Sequence, residues 1–357
     1  MRCQEINRIN RPLKVLVVDD SPMMCKALEN ILMEDDEIEA VTKALNGKEA
    51  LKELSSQKYD VCTLDVHMPG MNGLTVLKNI MIKYPVPTLM VSAFTSDGSK
   101  ITFEALRYGA VDFFKKLTRD GKGAFKKQAD SLRAKLKRAS RVKVEAARYL
   151  RIKPRSRGQL KDEAICSSDI SGVSIIYGST GCYSSVLSIL PFLKESLEVP
   201  IIISMDNSED NIKAFVDYLK SYCIFPLKLA KGTETLHTKT IYFLPKDYAA
   251  YFDKKDNKWE MTVEKRPIKV EGEGAIDLTL LSASEIFGKD TLVTIVSGDN
   301  PFGLTGAKEV LRNKGKILVQ KPNRCLAPLA PQLFLEEYGA ESLESYEIVS
   351  KISRWPK

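Results

Sequence analysis

The stretch KVLVVDDSPMM, residues 14–24, decides the fold of the amino-terminal half of the chain, because a short apolar run ends there in two aspartates. Similar apolar runs follow and are separated by amphipathic segments: IEAVT (38–42), VCTL (61–64), TLMVS (88–92) and AVDFF (110–114). Alternating strand and helix patterns are typical of a parallel, doubly wound sheet. The sequence therefore predicts an α/β domain built from five strand and helix pairs, a (βα)5 arrangement.

Polar side chains stand where these strands end: Asp19, Asp20, Asp65, Ser92 and Lys116. Ligands of parallel sheets bind at the carboxyl ends of the strands, so we expect these groups to converge on one edge. Three carboxylates brought together repel one another unless a cation lies among them, and oxygen ligands of this number suit Mg²⁺. The alternative, that they are merely solvated loop residues, is disfavoured by the coincidence of five such groups.

Such a cluster has a definite chemistry. With the charge neutralised by Mg²⁺ and a lysine, one aspartate can attack a phosphoryl group in line and form an acyl phosphate. The Ser92 hydroxyl can then donate a hydrogen bond to a phosphoryl oxygen and draw its loop inward, which gives a two-state switch.

Four motifs resemble those of response-regulator receiver domains over about residues 13–118: VVDDSPMM (17–24), LDVHMPGMNGL (64–74), VSAFTS (91–96) and GAVDFFKK (109–116). The resemblance implies that Asp65 is the phosphoacceptor and that Lys116 pairs with the phosphate. It implies Mg²⁺ held by Asp19, Asp20, Asp65 and the backbone carbonyl of His67, and it places Ser92 and Phe113 at two switch positions. Leu117 replaces the family's usual proline, and a non-proline cis peptide costs roughly 2.5 to 4 kcal/mol, so no cis bond is expected there.

A basic segment follows this domain. Residues 115–161 contain 18 lysines and arginines against three acids, a net charge of +15, whereas the chain as a whole carries +8. An apolar stripe at helical spacing predicts a long helix through Phe125, Ala129, Leu132, Leu136 and Ala139. Residues 151–163, RIKPRSRGQLKDE, indicate a flexible connector, so we assign 119–170 to a basic helix and linker. DNA binding through this segment is the less favoured alternative, because no DNA- or RNA-binding motif accompanies it.

Strand and helix patterns alternate again beyond Ser171 and predict a second doubly wound α/β domain, with a helical stretch extending through Leu197. The segment YGSTGCYSS (177–185) places Ser179 in a turn of small residues between a strand and a helix. Backbone amides in such a turn can cradle an oxyanion, with the serine as nucleophile. The motif does not fit GxSxG, and a helix-capping serine is the common alternative.

Residues 171–347 resemble the methylesterase domain of CheB-type chemotaxis regulators, which carry a receiver, a linker and a serine hydrolase domain in this order. The resemblance rests on GSTG (178–181), PIIISM (200–205), TLHTKTIYFLP (235–245), AIDLTLLSASEIFG (275–288) and SGDNPFGLTGAKEVLRNKGK (297–316). It implies that Ser179 attacks the methyl ester of a receptor glutamate. The catalytic histidine and aspartate of the family, however, fall on Ser204 and Phe302.

Neither replacement can act as a base or orient one, so we expect impaired esterase chemistry. The alternative is an active methylesterase or glutamine deamidase with a substitute group. Candidates are Asp206, Asp299 and His237, together with Cys182 as a thiolate. His237 is favoured as an exposed turn residue instead.

The remaining expectations follow from composition and resemblance. Seven scattered cysteines without a CxxC pair argue against disulfide frameworks and zinc modules, and two histidines argue against histidine-rich metal sites. The polar first fourteen residues and the short apolar runs predict a cytoplasmic protein without membrane insertion. The resemblance implies a CheA-type histidine kinase as phosphodonor and methyl-accepting chemoreceptors as partners, with nucleic acid disfavoured.

Overall fold

The computed structural model describes residues 12–92, 98–116, 122–144, 170–256, 258–266 and 273–356. The chain divides into two compact units, residues 1–151 and residues 152–357. Within the described ranges, no helix combines the length and the apolar character that crossing a bilayer requires.

The first unit alternates strands and helices along the chain. Its elements are β1 (Leu13–Val18), α1 (Pro22–Leu32), β2 (Ile38–Ala44), α2 (Gly47–Ser56), β3 (Val61–Asp65), α3 (Gly73–Lys83), β4 (Thr88–Ser92), α4 (Gly98–Arg107), β5 (Asp112–Lys115) and α5 (Lys122–Ser140). The sheet order is β2-β1-β3-β4-β5, with every pair parallel. All five residues of β3 are buried, as is usual for a central strand covered by helices on both faces. The predicted (βα)5 fold is confirmed.

Helix α5 contains the apolar stripe of the basic segment. Ala129, Leu132, Leu136 and Ala139 are buried, and α5 contacts α1, β3 and β4, so the helix belongs to the first unit. Phe125, which the stripe includes, is exposed. Leu117 and residues 145–169, with the whole predicted connector at 151–163, lie outside the described residues.

The second unit has two sheets. Its elements are β6 (Val173–Gly178), α6 (Cys182–Leu187), β7 (Ile201–Met205), α7 (Glu209–Leu219), β8 (Leu227–Leu229), β9 (Gly232–Thr235), β10 (Ile241–Leu244), β11 (Tyr248–Lys255), β12 (Lys258–Lys265), α8 (Ala275–Phe287), β13 (Thr291–Ile295), α9 (Leu304–Arg312), β14 (Lys316–Gln320), α10 (Leu329–Tyr338), β15 (Glu341–Leu343) and α11 (Ser345–Ile352). The larger sheet is parallel, in the order β15-β14-β13-β6-β7-β10-β8. The predicted α/β class is confirmed here too.

The second sheet, antiparallel with order β11-β12-β9, was not predicted. Its buried face packs against α8 through residues such as Phe252 and Met261, and the Trp259 ring stacks on Phe287 at 4.9 Å between centroids. The helical stretch expected through Leu197 is also shorter than predicted. Helix α6 ends at Leu187, and only a 3₁₀ turn at Leu190–Phe192 follows, because Pro191 has no N–H to continue an α-helix.

Candidate functional sites

The acidic cluster of the first unit lies at the carboxyl edge of its sheet. Asp19 directly follows β1, and Asp65 is the last residue of the neighbouring strand β3. Both are 1% exposed, whereas Asp20 is exposed. One carboxylate oxygen from each of the three residues lies within 4.8 Å of the others. The structure thus brings together the three acids that the sequence singled out.

Lys116 connects two of these acids. Its Nζ lies 2.9 Å from Asp19 Oδ2 and 2.8 Å from Asp65 Oδ2. Burial raises the pKa of Asp65, although the hydrogen bond from Lys116 opposes this. Burial by itself would lower the pKa of Lys116, but its hydrogen bonds to Asp65 and Asp19 raise the pKa overall. One ammonium beside three carboxylates leaves excess negative charge among oxygen ligands, and this donor set fits Mg²⁺.

The segment after β3 also contributes backbone groups to this edge. His67 N–H donates to Asp65 Oδ1 at 3.2 Å, and the His67 side chain is exposed. Gly73 begins α3 so close to β3 that a Cβ there would lie 2.1 Å from the carbonyl oxygen of Asp65. A residue other than glycine at position 73 would therefore push the aspartate out of place.

The two proposed switch positions lie on β4 and β5. Ser92 is the last residue of β4 and pairs with Lys115, and its side chain is outside the described part of the structure. Phe113 is partly buried on β5. Lys135 of α5 donates to the Phe113 carbonyl at 3.0 Å and to Asp112 at 2.7 Å, so α5 is tied to the strand that carries this switch position.

In the second unit, Ser179 directly follows β6 and is 4% exposed. It does not cap α6, because the N-cap residue of that helix is Gly181, with φ 81°. The helix-capping alternative is therefore wrong, and the hydroxyl of Ser179 has another partner.

That partner is Asp299. Ser179 Oγ donates to Asp299 Oδ1 at 3.0 Å and accepts a hydrogen bond from Asp299 N–H, also at 3.0 Å. Thr180 Oγ1 donates to the other carboxylate oxygen at 2.8 Å. Asp299, one of the substitute bases considered from the sequence, is thus in direct contact with the candidate nucleophile. A carboxylate at this distance is placed to accept the serine proton.

Gly298 makes this contact possible. A Cβ at position 298 would lie 2.9 Å from Ser179 Oγ and 3.2 Å from the Cβ of Ala330. The backbone of Gly298 makes two hydrogen bonds. Its N–H donates to the carbonyl of Ala327 at 2.8 Å, and its carbonyl accepts from the N–H of Ala330 at 2.9 Å. The segment that carries Asp299 is therefore pressed between Ser179 and the beginning of α10.

The sequence resemblance places the family's catalytic histidine and aspartate at Ser204 and Phe302. Ser204 is on β7 and pairs with Tyr177 of β6. Both Ser204 and Phe302 line a cavity of about 30 Å³, with room for about two water molecules. Neither side chain hydrogen-bonds to Ser179 in the described part of the chain.

The other candidate bases are placed differently. Asp206 forms an ion pair with Lys246 at 3.2 Å and accepts a hydrogen bond from Asn300. His237 precedes β10, whose first residue pairs with the first residue of β7, so it lies at the amino edge of the sheet, opposite Ser179. It is half-buried rather than an exposed turn residue, and burial lowers its pKa. Cys182 is fully buried, which disfavours a thiolate role.

A buried acid that the sequence reasoning missed supports the same loop. Asp277 of α8 accepts backbone hydrogen bonds from Gly274 N at 2.9 Å, Gly303 N at 3.0 Å and Gly306 N at 2.8 Å. Gly303 is the N-cap of α9 and has no side chain to accept hydrogen bonds from the first backbone N–H groups of that helix. Asp277, from a different helix, accepts the one from Gly306 instead. The available signal was an aspartate inside the apolar helical pattern AIDLTLL.

Two family models match the chain: the response regulator receiver domain over residues 15–122 and the CheB methylesterase over residues 174–352. A protein-glutamate methylesterase/protein-glutamine glutaminase of Pyrococcus horikoshii is 32% identical, over 87% of this chain and 84% of that one. The Thermotoga maritima protein of the same name is 31% identical, over 96% and 98% of the two chains. The crystal structure of the response regulator domain of Thermotoga maritima CheB is 41% identical, covers 37% of this chain and 99% of that chain, and gives a TM-score of 0.34.

Proposed function

Because the chain belongs to the CheB-type family, which joins a receiver domain to a methylesterase domain, we propose that it is a phosphorylation-controlled chemotaxis regulator with weakened esterase chemistry. Its site of action in this proposal is the cytoplasm, where a CheA-type histidine kinase is the phosphodonor. Methyl-accepting chemoreceptors are the proteins on which its output domain docks.

In the proposed phosphorylation step, an Asp65 carboxylate oxygen forms a bond to the phosphorus of the kinase phosphohistidine, while the bond from phosphorus to the histidine nitrogen breaks and the kinase histidine leaves. Asp19, Asp20 and Asp65, with the backbone carbonyl of His67, hold Mg²⁺, which when bound neutralises charge on the phosphoryl oxygens. Lys116 forms ion pairs with Asp19 and Asp65 and donates a hydrogen bond to Asp65, and in this proposal it pairs with the new phosphoryl group once Asp65 is modified. The change of partner at Lys116, together with Ser92 and Phe113, carries the signal to β4, β5 and α5.

The single observation that carries the proposal for the output domain is the hydrogen bond between Ser179 and Asp299. Ser179 has the place of a nucleophile after β6, but its proton acceptor is a carboxylate instead of an imidazole. A carboxylate is a much weaker base than an imidazole near neutral pH, so attack by Ser179 is slow. In a model serine protease, loss of the triad histidine lowers kcat by roughly 10⁶. Phosphorylation then controls receptor docking more than turnover.

Methanol release from methylated chemoreceptor tests this proposal. The full-length protein, phosphorylated with a small phosphodonor and Mg²⁺, is compared with its Ser179→Ala variant, and with an active family member as positive control. We expect the two chains to release methanol at nearly the same slow rate. Substantial release that depends on Ser179 contradicts the proposal.

A second candidate function is an active methylesterase or glutamine deamidase in which Asp299 is the working base. The 3.0 Å contact between Ser179 Oγ and Asp299 Oδ1 is the specific observation in its favour, because a carboxylate within hydrogen-bond reach of a hydroxyl is placed to accept its proton. This alternative predicts substantial turnover that is lost in both Ser179→Ala and Asp299→Asn, while His237→Gln leaves it unchanged.

A further inference from the structure

The loop that carries Asp299 is held by a chain of polar contacts. Asn300 is the central residue: its Nδ2 donates to Asp206 Oδ2 at 3.1 Å, and its Oδ1 accepts from the Tyr177 hydroxyl at 2.9 Å. The same oxygen accepts from Phe302 N–H at 3.3 Å. Lys246 Nζ lies 3.2 Å from the other oxygen of Asp206 and completes the chain.

Both anchors of Asn300 belong to the sheet. Tyr177 is on β6, two residues before Ser179, and Asp206 directly follows β7. The Asp206 N–H donates to Gly178 O at 3.1 Å, so the carboxylate is fixed relative to the strand end that presents Ser179. A side chain held at both ends by these groups fixes the backbone of its neighbour, Asp299.

We propose that Asn300 is a positioning residue: by bridging Tyr177 and Asp206, it holds the Asp299 carboxylate against the Ser179 hydroxyl. This inference rests on the assignment of Asp299 as the proton acceptor of Ser179 in the proposed function. Asn300 itself contacts neither the nucleophile nor the ester, and it acts through the placement of Asp299.

The charged residues around Asn300 indicate that it positions Asp299 and does not merely pack within the loop. Asp206 is partly exposed, and Lys246 has 55% of its side chain exposed, so these residues are not part of the apolar core. Hydrogen bonds to a charged acceptor are stronger and more directional than neutral ones. Loss of the bond from Asn300 to Asp206 is therefore expected to let Asp299 move while the sheet stays intact.

The test is the rate at which Ser179 of the full-length protein reacts with a fluorophosphonate at several concentrations, followed by intact mass at neutral pH. In this reaction Ser179 Oγ forms a bond to phosphorus, fluoride leaves, and the serine proton passes to Asp299. Asp299→Asn reports whether Asp299 accepts that proton. Asn300→Ala reports whether Asn300 places Asp299.

We expect Asp299→Asn and Asn300→Ala each to lower the maximal labelling rate, the latter by about tenfold, and to leave unchanged the fluorophosphonate concentration that gives half of that rate. Asn313→Ala, which removes a hydrogen bond from Asn313 Nδ2 to Ser284 at 3.2 Å, is the matched control and should label like the parent chain. Melting temperatures are measured for all variants, since a purely structural role would change melting without selectively lowering the maximal labelling rate.

Asn300→Asp is the second variant, used where Asn300→Ala does not fold. It keeps the acceptor for Tyr177 and Phe302 but replaces the donor to Asp206 with a like charge, and it too should label more slowly. If Asp299→Asn is slow while both Asn300 variants match the parent, Asn300 has no positioning role although Asp299 is the acceptor. If Asp299→Asn matches the parent, or Ser179 is not labelled at all, the assignment of Asp299 and the role of Asn300 are both overturned.

Discussion

Ser204 and Phe302 line the same cavity at the carboxyl edge of the large parallel sheet. They come from β7 and from the loop before α9, and the proposed function takes them as the replacements of the family's catalytic histidine and aspartate. A histidine and an aspartate at these two positions would therefore face a common space beside the strand end that presents Ser179.

Restoring the two residues should restore catalysis. We expect Ser204→His combined with Phe302→Asp to raise methanol release by a factor on the order of 10³ or more, because an imidazole near neutral pKa is a far better base than a carboxylate. Each single variant should gain much less, since the triad acts as a unit. The added activity must disappear when Ser179→Ala is introduced into the double variant, and no gain in the double variant would mean that the two positions are not aligned with Ser179.

Asp65 is the expected phosphoacceptor of the first unit. Incubation of the full-length protein with a small phosphodonor and Mg²⁺ should produce an acyl phosphate that is lost in Asp65→Ala. Intact mass measurement and lability in base identify the modification. Asp60→Ala, at the beginning of β3, is the matched control and should retain phosphorylation. Modification that persists in Asp65→Ala would place the acceptor elsewhere.

Asp277 is expected to be a stability determinant of the second unit. Asp277→Ala leaves three buried backbone N–H groups without their acceptor, so we expect the free energy of unfolding to fall by about 3 kcal/mol or more. Asp277→Asn retains one carbonyl oxygen and should lose less. Urea unfolding of the full-length chain measures both. A loss below about 1 kcal/mol in Asp277→Ala would show that water replaces the carboxylate.

The pKa of His237 predicts a pH dependence of stability. Burial, and secondarily the charge of Lys228, lowers the pKa of His237 in the folded protein below its ordinary value of 6.5. The unfolded chain binds the proton at higher pH, so this residue's contribution to stability is fully present above about pH 6.5. This contribution is lost as the pH falls from about 6.5 through the pKa of His237 in the folded protein.

Thermal unfolding at several pH values checks this prediction. His237→Gln should weaken the decline of the melting temperature of the second unit below about pH 6.5. The exposed His67 of the first unit provides a matched control, because His67→Gln should leave that decline intact. An identical decline in the parent chain and in His237→Gln would contradict the expectation.

The two sites differ in how much of their geometry the sequence predicts. Asp19, Asp65 and Lys116 follow strands of a parallel sheet, and strand order alone brings such residues together, so their convergence was predictable. The contact between Asp299 and Ser179 depends on how closely Gly298 lets two backbone segments approach, and no local pattern encodes that distance. Asp277 accepts hydrogen bonds from a loop far along the chain. No local sequence pattern predicts that contact either.

The antiparallel sheet was missed for a different cause. Strand β12 alternates buried residues with partly exposed polar ones only over Met261, Thr262, Val263 and Glu264, and so short an alternating segment is a weak signal between strong parallel strands.

The close packing of Phe302 has an evolutionary consequence. Its ring packs against the core of the second unit, and a Cβ at Gly274 would lie only 2.9 Å from that ring. A substitution of Phe302 by aspartate leaves a void and places a charge against apolar neighbours, so this change by itself lowers stability. Histidine at position 204 brings little benefit until residue 302 has changed as well. If the proposed function is correct, a complete triad would therefore be difficult to regain one substitution at a time.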